Sequence, residues 1–303
     1  MTIAPHLDAQ PSDDSTILPA ALPTDTGTLY VVGTPIGNLE DMTFRAVRTL
    51  QEVDAIAAED TRHTARLLQH FQITTPQLSY HQHNRTKQTP RLLERLQRGQ
   101  SIAIVTDAGM PGISDPGGDL VAACAAVGIL VVPIPGVSAS LTALSVSGLD
   151  SERFAFDGFL PTKTKDRRLA LDALAGETRT TILYEAPHRI SQTLQDLCQV
   201  CGEDRQIAIG RELTKRYEEI WRGSLAQAVE LYATRKPQGE YTLTIAGAQP
   251  ADLPILSDTD VKTELQRLMV AEGLSRSQAC RQLAQQTQQS RRELYQMAID
   301  LEA

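Results

Sequence analysis

The stretch at residues 29–43, LYVVGTPIGNLEDMT, most constrains how this chain can fold. Its apolar start at residues 29–32 is typical of a buried strand. The apolar run breaks at a loop, GTPIGN at residues 33–38, and apolar residues then recur at helical spacing over residues 39–50. Open α/β proteins bind ligands where a strand ends in a glycine turn before a helix, because backbone amides at the helix start face the crevice.

The proline of this loop narrows the class of ligand. Pro35 removes an amide and stiffens the backbone, which suits an uncharged or cationic group better than a pyrophosphate. A dinucleotide site is the competing interpretation, since Glu59 and Asp60 follow at the distance expected of a ribose-binding carboxylate. The third glycine of that fingerprint is missing, however, and the chain contains no G-K-[ST] sequence of a P-loop.

Length and composition predict a multi-domain globular protein. The 303 residues suffice for two domains and a small appendage, with 41% hydrophobic and 22% charged residues. No apolar run approaches the roughly 20 residues that span a bilayer. Residues 1–27 are rich in Pro, Asp, Ser and Thr and lack the features of a secretory signal, so we expect a disordered tail and a cytoplasmic protein.

The net charge of −8 argues against a protein that coats nucleic acid non-specifically. Local basic clusters nevertheless favour an RNA partner modestly, although each alone is typical of a solvated helix face. They are Arg85, Lys87, Arg91, Arg95 and Arg98; Lys163, Lys165, Arg167 and Arg168; Lys215 and Arg216; and Arg276, Arg281, Arg291 and Arg292.

The first predicted domain, residues 28–148, alternates strands and helices. This alternation indicates a parallel sheet covered on both faces. Its predicted strands are residues 29–33, 55–58, 101–106 and 129–133, and its predicted helices are residues 39–51, 63–70, 90–98, 117–127 and 138–147.

The second predicted domain, residues 149–248, has a mixed sheet because one strand directly follows another between residues 206 and 221. Its predicted strands are residues 153–159, 180–184, 206–211, 219–222 and 241–246, and its predicted helices are residues 165–174, 187–199 and 224–234. Residues 258–303 are predicted to be helical, with a second helix beginning at Ser290. This module is either helix-turn-helix-like or a helical hairpin packed on the body.

Three loops follow strand ends on the crevice side of the first domain, at residues 33–38, 107–118 and 135–139. Together they predict a small-molecule pocket. We expect no metal site, because the C-x-x-C pair Cys198 and Cys201 has no second pair and the H-x-H pair His81 and His83 has no third ligand nearby. Both cysteines are expected to pack as small hydrophobic residues.

Several motifs resemble the tetrapyrrole methylase superfamily, and within it the bacterial 16S rRNA cytidine-2′-O-ribose methyltransferases. They are TPIGNLEDMTFRA (34–46), AEDTRHT (58–64), DAGMPGISDPG (107–117), PGVSA (135–139), FDGFLP (156–161), YEAPHRI (184–190), GRELTK (210–215) and GEYT (239–242). The resemblance implies two α/β domains that clasp S-adenosylmethionine, a C-terminal helical module and a homodimer. It also implies methylation of a ribose 2′-hydroxyl, at cytidine 1402 of 16S RNA in the small ribosomal subunit.

The resemblance further implies a set of site residues. Those expected to contact the cofactor are Pro35, Asp107, Ala108, Gly109, Ile113, Ser138, Ala139, Tyr184, Tyr241 and Thr242. The motifs without a cofactor role supply the other candidates, which are catalytic at Asp60, Arg62, Glu185 and Glu212 and RNA-binding at His63, Arg189, Arg211 and Lys215. The last basic cluster adds Arg291 and Arg292 as RNA-binding candidates. A base or an oxyanion partner helps because a 2′-hydroxyl is a weak acid. The same residues fit a blander interpretation, in which Asp60–Arg62 and Glu212–Lys215 are ion pairs that brace loops.

Two other functions compete with RNA methylation. One is methylation of a small tetrapyrrole, which needs a broad apolar pocket, whereas only 4% of the residues here are aromatic. The other is a protein without catalysis that retains the cofactor pocket and docks on RNA or a partner through residues 275–295.

Overall fold

The computed structural model describes residues 26–249 and 256–299. Within them lie two five-stranded sheets, each with its own helices, followed by a C-terminal group of helices. The predicted fold class, two α/β domains and a small helical module, is confirmed. The boundaries 28–148, 149–248 and 258–303 remain a prediction, and the tail expected at residues 1–27 lies outside the described residues except for its last two.

The first sheet is wholly parallel, in the strand order β3-β2-β4-β1-β5. Its strands are β1 (Leu29–Val32), β2 (Ala55–Ala58), β3 (Gln77–Ser79), β4 (Ile102–Val105) and β5 (Val131–Ile134). Its helices are α1 (Phe44–Glu52), α2 (Thr61–His70), α3 (Arg85–Gln97), α4 (Gly118–Ala126) and α5 (Ala139–Ser147).

Both faces of this sheet are buried, which explains the unbroken apolar run of β1. Leu29 and Val31 point to one face and join a core with Leu96 of α3, while Val32 points to the other and joins a core with Leu50 of α1. Successive side chains of a strand alternate between faces, so a strand covered on both sides is apolar throughout.

The second sheet is mixed, as predicted, in the order β6-β7-β10-β8-β9, with β6 and β7 parallel and the other pairs antiparallel. Its strands are β6 (Phe154–Phe159), β7 (Thr180–Glu185), β8 (Gln206–Arg211), β9 (Glu219–Ser224) and β10 (Tyr241–Ile245). Its helices are α6 (Thr164–Gly176), α7 (Ile190–Cys201) and α8 (Leu225–Thr234).

Helix α5 joins the two sheets. It ends the first domain and packs against β7, β8 and β10 of the second. Arg222 of β9 closes the contact, since its Nε donates to the carbonyl oxygen of Ser147 at 3.1 Å. A carbonyl at a helix C-terminus has no partner within its own helix, so the arginine satisfies it across the domain boundary.

The C-terminal group has three helices among the described residues, α9 (Asp258–Val270), α10 (Arg276–Gln286) and α11 (Arg291–Ile299). They enclose an apolar core of their own, in which Leu265, Cys280 and Leu294 are fully buried. The predicted helix start at Ser290 is confirmed, because the Ser290 hydroxyl accepts from the amide of Glu293 and the Glu293 carboxylate accepts from the amide of Ser290.

Three sequence-based elements were wrong in detail. The helix expected at residues 39–51 is a short 3₁₀ turn, Leu39–Asp41, followed by α1, whose first turn is capped by the Thr43 hydroxyl. The helix expected to begin at Pro90 begins at Arg85, so the proline lies inside it. Strand β3 was missed because it has only three residues, none of them fully buried.

The described residues contain no group of three or more His, Cys, Asp or Glu side chains placed to hold a metal ion. Cys198 and Cys201 are free thiols near the end of α7, and Cys201 is buried in the second core. Among these residues no helix combines the length and the apolar character needed to cross a bilayer.

Candidate active site

The three glycine-containing loops of the first domain meet at the carboxyl edge of its sheet. The amide of Thr34 donates to the Gly109 carbonyl at 3.0 Å, and the Gly109 amide returns a bond to Thr34 at 3.1 Å. A Cβ added at Gly33 would lie 2.7 Å from the Cα of Gly136, so the first and third loops are in backbone contact. The loops are therefore held in one arrangement before any ligand binds.

A cavity of about 350 Å³ lies between these loops and the second sheet. Eight of the ten predicted cofactor residues line it: Ala108, Gly109, Ile113, Ser138, Ala139, Tyr184, Tyr241 and Thr242. The other lining residues are Ile36, Met110, Ser114, Asp115, Phe159, Glu185, Ala186, Pro187 and Glu240. The two remaining predicted residues, Pro35 and Asp107, line a neighbouring cavity.

A second cavity, of about 500 Å³, adjoins the first and contains both of those residues. Its lining residues are Thr34, Pro35, Ile36, Gly37, Leu39, His63, Thr64, Arg66, Leu67, Thr106, Asp107, Ala108, Lys215 and Glu240. Ile36, Ala108 and Glu240 line both cavities. We call these the inner cavity (350 Å³) and the outer cavity (500 Å³).

The inner cavity suits a cation. Among its described lining residues there is no Lys, Arg or His, whereas there are three carboxylates, Asp115, Glu185 and Glu240. Burial, together with the nearby negative charges of Glu59 and Asp107, raises the pKa of Asp115 to about 6. A positive ligand group would relieve that repulsion, and a pyrophosphate would increase it.

Tyr184 forms the wall of the inner cavity on the second sheet. Its ring lies edge-on to Phe156 and Phe159, with centroid separations of 4.9 and 5.6 Å. Burial raises the pKa of the Tyr184 hydroxyl, which is hydrogen-bonded to Ser140 at the start of α5. Because ring and hydroxyl are both fixed, Tyr184 presents a preformed apolar surface to a ligand.

Asp107 ties the outer cavity to the start of α2. Its Oδ1 accepts from the amide of Asp60 at 3.2 Å, and its own amide donates to Glu59 Oε2 at 3.3 Å. Asp60 caps α2 and forms an ion pair with Arg62, with Nη2 and Oδ2 2.8 Å apart. The hydrogen bonds from Arg62 hold the pKa of Asp60 well below its usual range.

Glu185 is buried and its oxygens are engaged. One oxygen accepts from the Thr193 hydroxyl at 2.5 Å and the other from the Ala186 amide at 2.9 Å. Arg189 lies 3.3 Å from the same carboxylate and also donates to the Leu160 carbonyl at 2.7 Å. This pair of predicted site residues therefore anchors the β7–α7 turn, with Glu185 at the wall of the inner cavity.

Glu212 and Lys215 form the second predicted ion pair, at 2.9 Å. Burial alone would raise the pKa of Glu212, but the hydrogen bonds from Lys215 and from the Glu240 amide outweigh it and lower the pKa. Lys215 also contacts Glu240 Oε2 at 2.7 Å and lies at the outer cavity. Both residues thus lie where the two domains meet.

The other RNA-binding candidates are dispersed. His63 lines the outer cavity from α2. Arg211 donates to the Gln238 carbonyl and lies 3.5 Å from Glu219, away from both cavities. Arg291 and Arg292 are exposed on α11, where Arg291 donates to the Ser277 hydroxyl. The structure brings together His63 and Lys215 and places the others elsewhere.

Among the acidic lining residues, two were missed from the sequence, Asp115 and Glu240. Both stood inside recognised motifs, DAGMPGISDPG and GEYT, but neighbouring residues were chosen instead. Their position inside these motifs was the only sequence feature that could have identified them as site residues. Their exposure to a cavity depends on the path of the loops, which a motif does not specify.

Comparison with known proteins identifies the family of this chain. The family described as Tetrapyrrole (Corrin/Porphyrin) Methylases matches residues 28–229. A protein of Synechocystis sp. named Ribosomal RNA small subunit methyltransferase I is 58% identical over 277 residues, which cover 91% of this chain and 99% of the relative.

Solved structures share the fold. The methyltransferase CobJ is similar with a TM-score of 0.55 and 19% identity, covering 74% of this chain and 95% of that one. Uroporphyrin-III C-methyl transferase from Thermus thermophilus, solved in complex with S-adenyl homocysteine, has a TM-score of 0.52 and 18% identity, with coverage of 72% and 97%. The chain therefore belongs to the tetrapyrrole methylase family, and to the branch of it whose members are named ribosomal RNA small subunit methyltransferase I.

Proposed function

We propose that this chain transfers a methyl group from S-adenosylmethionine to RNA of the small ribosomal subunit. The accepting atom in this proposal is the ribose 2′-oxygen of cytidine 1402 in 16S RNA. One observation carries the proposal. The inner cavity, which has carboxylates and no described cationic side chain, adjoins an outer cavity in which three basic residues, His63, Arg66 and Lys215, accompany two carboxylates, Asp107 and Glu240. A cationic cofactor fits the first, and a phosphate-bearing substrate fits the second.

The cofactor is S-adenosylmethionine, and the inner cavity has the chemistry to hold it. Asp115 supplies a negative charge for a cationic ligand, and Gly109 and Ser138 bring two loop backbones to the cavity wall. Tyr184 and Tyr241 offer ring surfaces from the second sheet. When bound, the cofactor supplies a methyl group activated by its positive sulfur.

The protein's own contribution is alignment. The backbone hydrogen bonds between Thr34 and Gly109 fix the two loops before a ligand binds. Binding therefore costs little loss of conformational entropy in these loops. Holding two reactants about 3–3.5 Å apart in line supplies much of the rate enhancement for a displacement. We expect the substrate ribose at the shared wall of the cavities, where Ile36 and Ala108 face both.

The RNA part of the proposal is supported by the relatives, because the Synechocystis protein that matches nearly the whole chain is named for small-subunit ribosomal RNA. His63 and Lys215 at the outer cavity are the proposed RNA contacts nearest the reaction, and Arg291 and Arg292 are proposed contacts further away. The specific 2′-oxygen is supported by the motif resemblance alone. The same resemblance supports a homodimer, and light scattering on the purified protein would measure its mass. Action in the cytoplasm is proposed because the N-terminal sequence lacks the features of a secretory signal.

Methyl transfer to small subunits isolated from cells that lack this enzyme tests the proposal. Wild-type protein is incubated with labelled S-adenosylmethionine beside Asp107→Ala and, as a matched acidic control, Glu230→Gln, an exposed residue of α8. We expect label on a single nucleotide that resists alkali, because a 2′-O-methyl group blocks cleavage at that position. Glu230→Gln should label equally well, and Asp107→Ala at least tenfold more slowly.

Label on a base would contradict the ribose assignment, since alkali would then release the modified nucleotide. The RNA assignment itself would fail if neither subunits nor naked 16S RNA accepted label while calorimetry showed that the cofactor binds. Small-molecule acceptors would then be tested next.

A further inference from the structure

Glu240 is the ionisable residue at the junction of the two cavities. Three residues line both, and the other two, Ile36 and Ala108, have no titratable group. A reaction between a ligand in the inner cavity and one in the outer cavity takes place at this shared wall. Glu240 is therefore the residue of this shared wall that can accept a proton.

The backbone of Glu240 is fixed by Glu212. The amide of Glu240 donates to Glu212 Oε1 at 2.9 Å, and the amide of Glu212 donates to the Glu240 carbonyl at 2.9 Å. Gly239 precedes it with a φ of +81°, and a Cβ there would lie 2.4 Å from Cγ of Glu212. The positive φ favours glycine at this position, and a Cβ would displace the Glu212 side chain that holds the Glu240 amide.

The side chain of Glu240 is held but open to solvent. Its Oε2 lies 2.7 Å from Nζ of Lys215, and 77% of the side chain is exposed. Lys215 is fixed in turn by Glu212 at 2.9 Å and by close packing of its Cγ at Gly37 of the first loop. A lysine ammonium has three protons, so these two carboxylates leave one for a substrate oxygen.

The three carboxylates first considered as bases are each occupied. Both oxygens of Asp60 accept from Arg62, and the two oxygens of Glu185 accept from Thr193 and from the Ala186 amide. Oε1 of Glu212 accepts from both Lys215 and the Glu240 amide, and Glu212 lines neither cavity. A carboxylate whose oxygens already accept strong hydrogen bonds is a weak proton acceptor. Oε2 of Glu240 accepts from Lys215, and among the described residues no hydrogen bond engages its Oε1.

We propose that Glu240 is the proton acceptor for the substrate hydroxyl, and that Lys215 stabilises the charge that develops on the oxygen. The inference rests on the proposed function and names the acid–base pair of the same site. The O–H bond of the hydroxyl breaks and its proton moves to a Glu240 oxygen. The oxygen's electron pair forms the bond to the methyl carbon, and the electron pair of the broken C–S bond stays on sulfur, which becomes a neutral thioether.

Single-turnover methylation of small subunits by Glu240→Gln tests the role. We expect the rate to fall by about 100-fold or more, the range of a lost general base. The affinities for S-adenosylhomocysteine and for the subunit should stay within about 2-fold of wild type. Glu230→Gln, the same change on the surface of α8, should keep the wild-type rate. A Glu240→Gln enzyme with the wild-type rate would overturn the proposal.

Chemical rescue separates a proton acceptor from a residue that only holds the loop. Glu240→Ala should regain activity when formate is added, because the exposed position lets a small carboxylate enter. Chloride at the same ionic strength should not restore it. Equal effects of formate and chloride would overturn the role of acceptor, since a merely structural defect has no preference for a base.

A third readout needs neither cofactor nor RNA. Although burial opposes it, the pairing with Glu240 and Glu212 raises the pKa of Lys215. Competitive acylation of the free protein, read by mass spectrometry, should therefore show Lys215 reacting faster in Glu240→Gln than in wild type at the same pH. Unchanged reactivity would remove the ion pair on which the inference depends. This measurement stands even if the wild-type enzyme proves to methylate something other than RNA.

Discussion

Asp115 places a charge that depends on pH inside the inner cavity. Burial, followed by the negative charges of Glu59 and Asp107, raises its pKa to about 6. Above that pH the carboxylate is ionised and attracts a cationic sulfur; below it the carboxyl is neutral and the attraction is lost. We expect S-adenosylmethionine to lose about 5-fold in affinity relative to the product, which lacks the sulfonium charge, as pH falls from 7 to 5.

Calorimetry with both ligands across this pH range measures the ratio. In Asp115→Asn the ratio should be low and constant, because the amide never ionises. A ratio that still fell with pH in the Asn variant would assign the effect to another group, such as Glu59, whose pKa burial also raises.

For Glu185 we predict an effect on stability, in contrast to the effect on binding expected for Asp115. Its carboxylate is buried between the Thr193 hydroxyl and Arg189, so Glu185→Ala leaves the guanidinium without its counter-charge, bonded to the Leu160 carbonyl. Removing one member of a buried pair costs about 3–5 kcal/mol, and the variant's free energy of unfolding in urea should fall by about 3 kcal/mol. Glu230→Ala, on the exposed face of α8, should change it by less than about 0.5 kcal/mol. A stable but inactive Glu185→Ala would instead favour a catalytic role.

The sequence located these residues but not their roles. Motif resemblance put Glu185, Asp107 and Tyr184 near the site, and each lies at one of the two cavities. Asp115 and Glu240 were missed because a side chain's access to a cavity depends on the turn that follows each strand. Such turns are set by contacts between distant loops, for example Thr34 with Gly109, which no local pattern contains.

At the scale of elements, the contact between the first and third loops sets the shape of the inner cavity. Gly33→Ala would place a Cβ 2.6 Å from the sulfur of Met110 and 2.7 Å from Cα of Gly136. Because one of these neighbours is backbone, the loops must separate, and overpacking of this kind costs about 1–3 kcal/mol. We expect a weaker cofactor affinity, by at least tenfold, measured by calorimetry together with urea unfolding.

Gly176→Ala is the matched control, since a Cβ there meets nothing within 4 Å and the residue is helical. It should keep the wild-type affinity and change stability by less than about 1 kcal/mol. If Gly33→Ala bound the cofactor normally, the close contact of the two loops would not matter for binding.

Elements with strong periodicity were predictable, and those decided by neighbours were not. The buried strands β1, β2 and β4 are apolar throughout and were recognised. Pro90 was taken for a helix start because proline favours the first turn, but α3 begins at Arg85. Its earlier start follows from a turn at residues 81–84, in which Asn84 Oδ1 accepts from the amide of His81.

At the scale of the whole molecule, the candidate active site lies at the interface between the two domains. Helix α5 of the first domain lies on the second sheet, and Gly37 of the first loop packs against Lys215 of the second domain. The two-domain arrangement was predictable from the resemblance. The two-cavity division was not, because it arises only when loops from both domains approach each other.

The C-terminal helices have a core separate from both sheets, which predicts that the body survives without them. Its buried residues all lie between Val261 and Ala298, whereas the other apolar cores contain residues up to Ile245. Deleting residues 250–303 should therefore leave the melting temperature of the body unchanged. The affinity for S-adenosylhomocysteine should stay within about 2-fold of wild type. We expect the affinity for the small subunit to fall at least tenfold, about 1.4 kcal/mol, if these helices deliver RNA.

The paired substitution Arg291→Ala with Arg292→Ala tests the same point with the apolar core of the module intact, because both side chains are exposed and the pair loses one surface hydrogen bond, from Arg291 to Ser277. If both contact phosphates of single-stranded RNA, the slope of log affinity against log salt concentration should become shallower by about 1.4, or about 0.7 for each contact. An unchanged slope together with unchanged affinity in the deletion would remove the module from RNA binding. The body, with His63 and Lys215 at the outer cavity, would then have to recognise the subunit by itself.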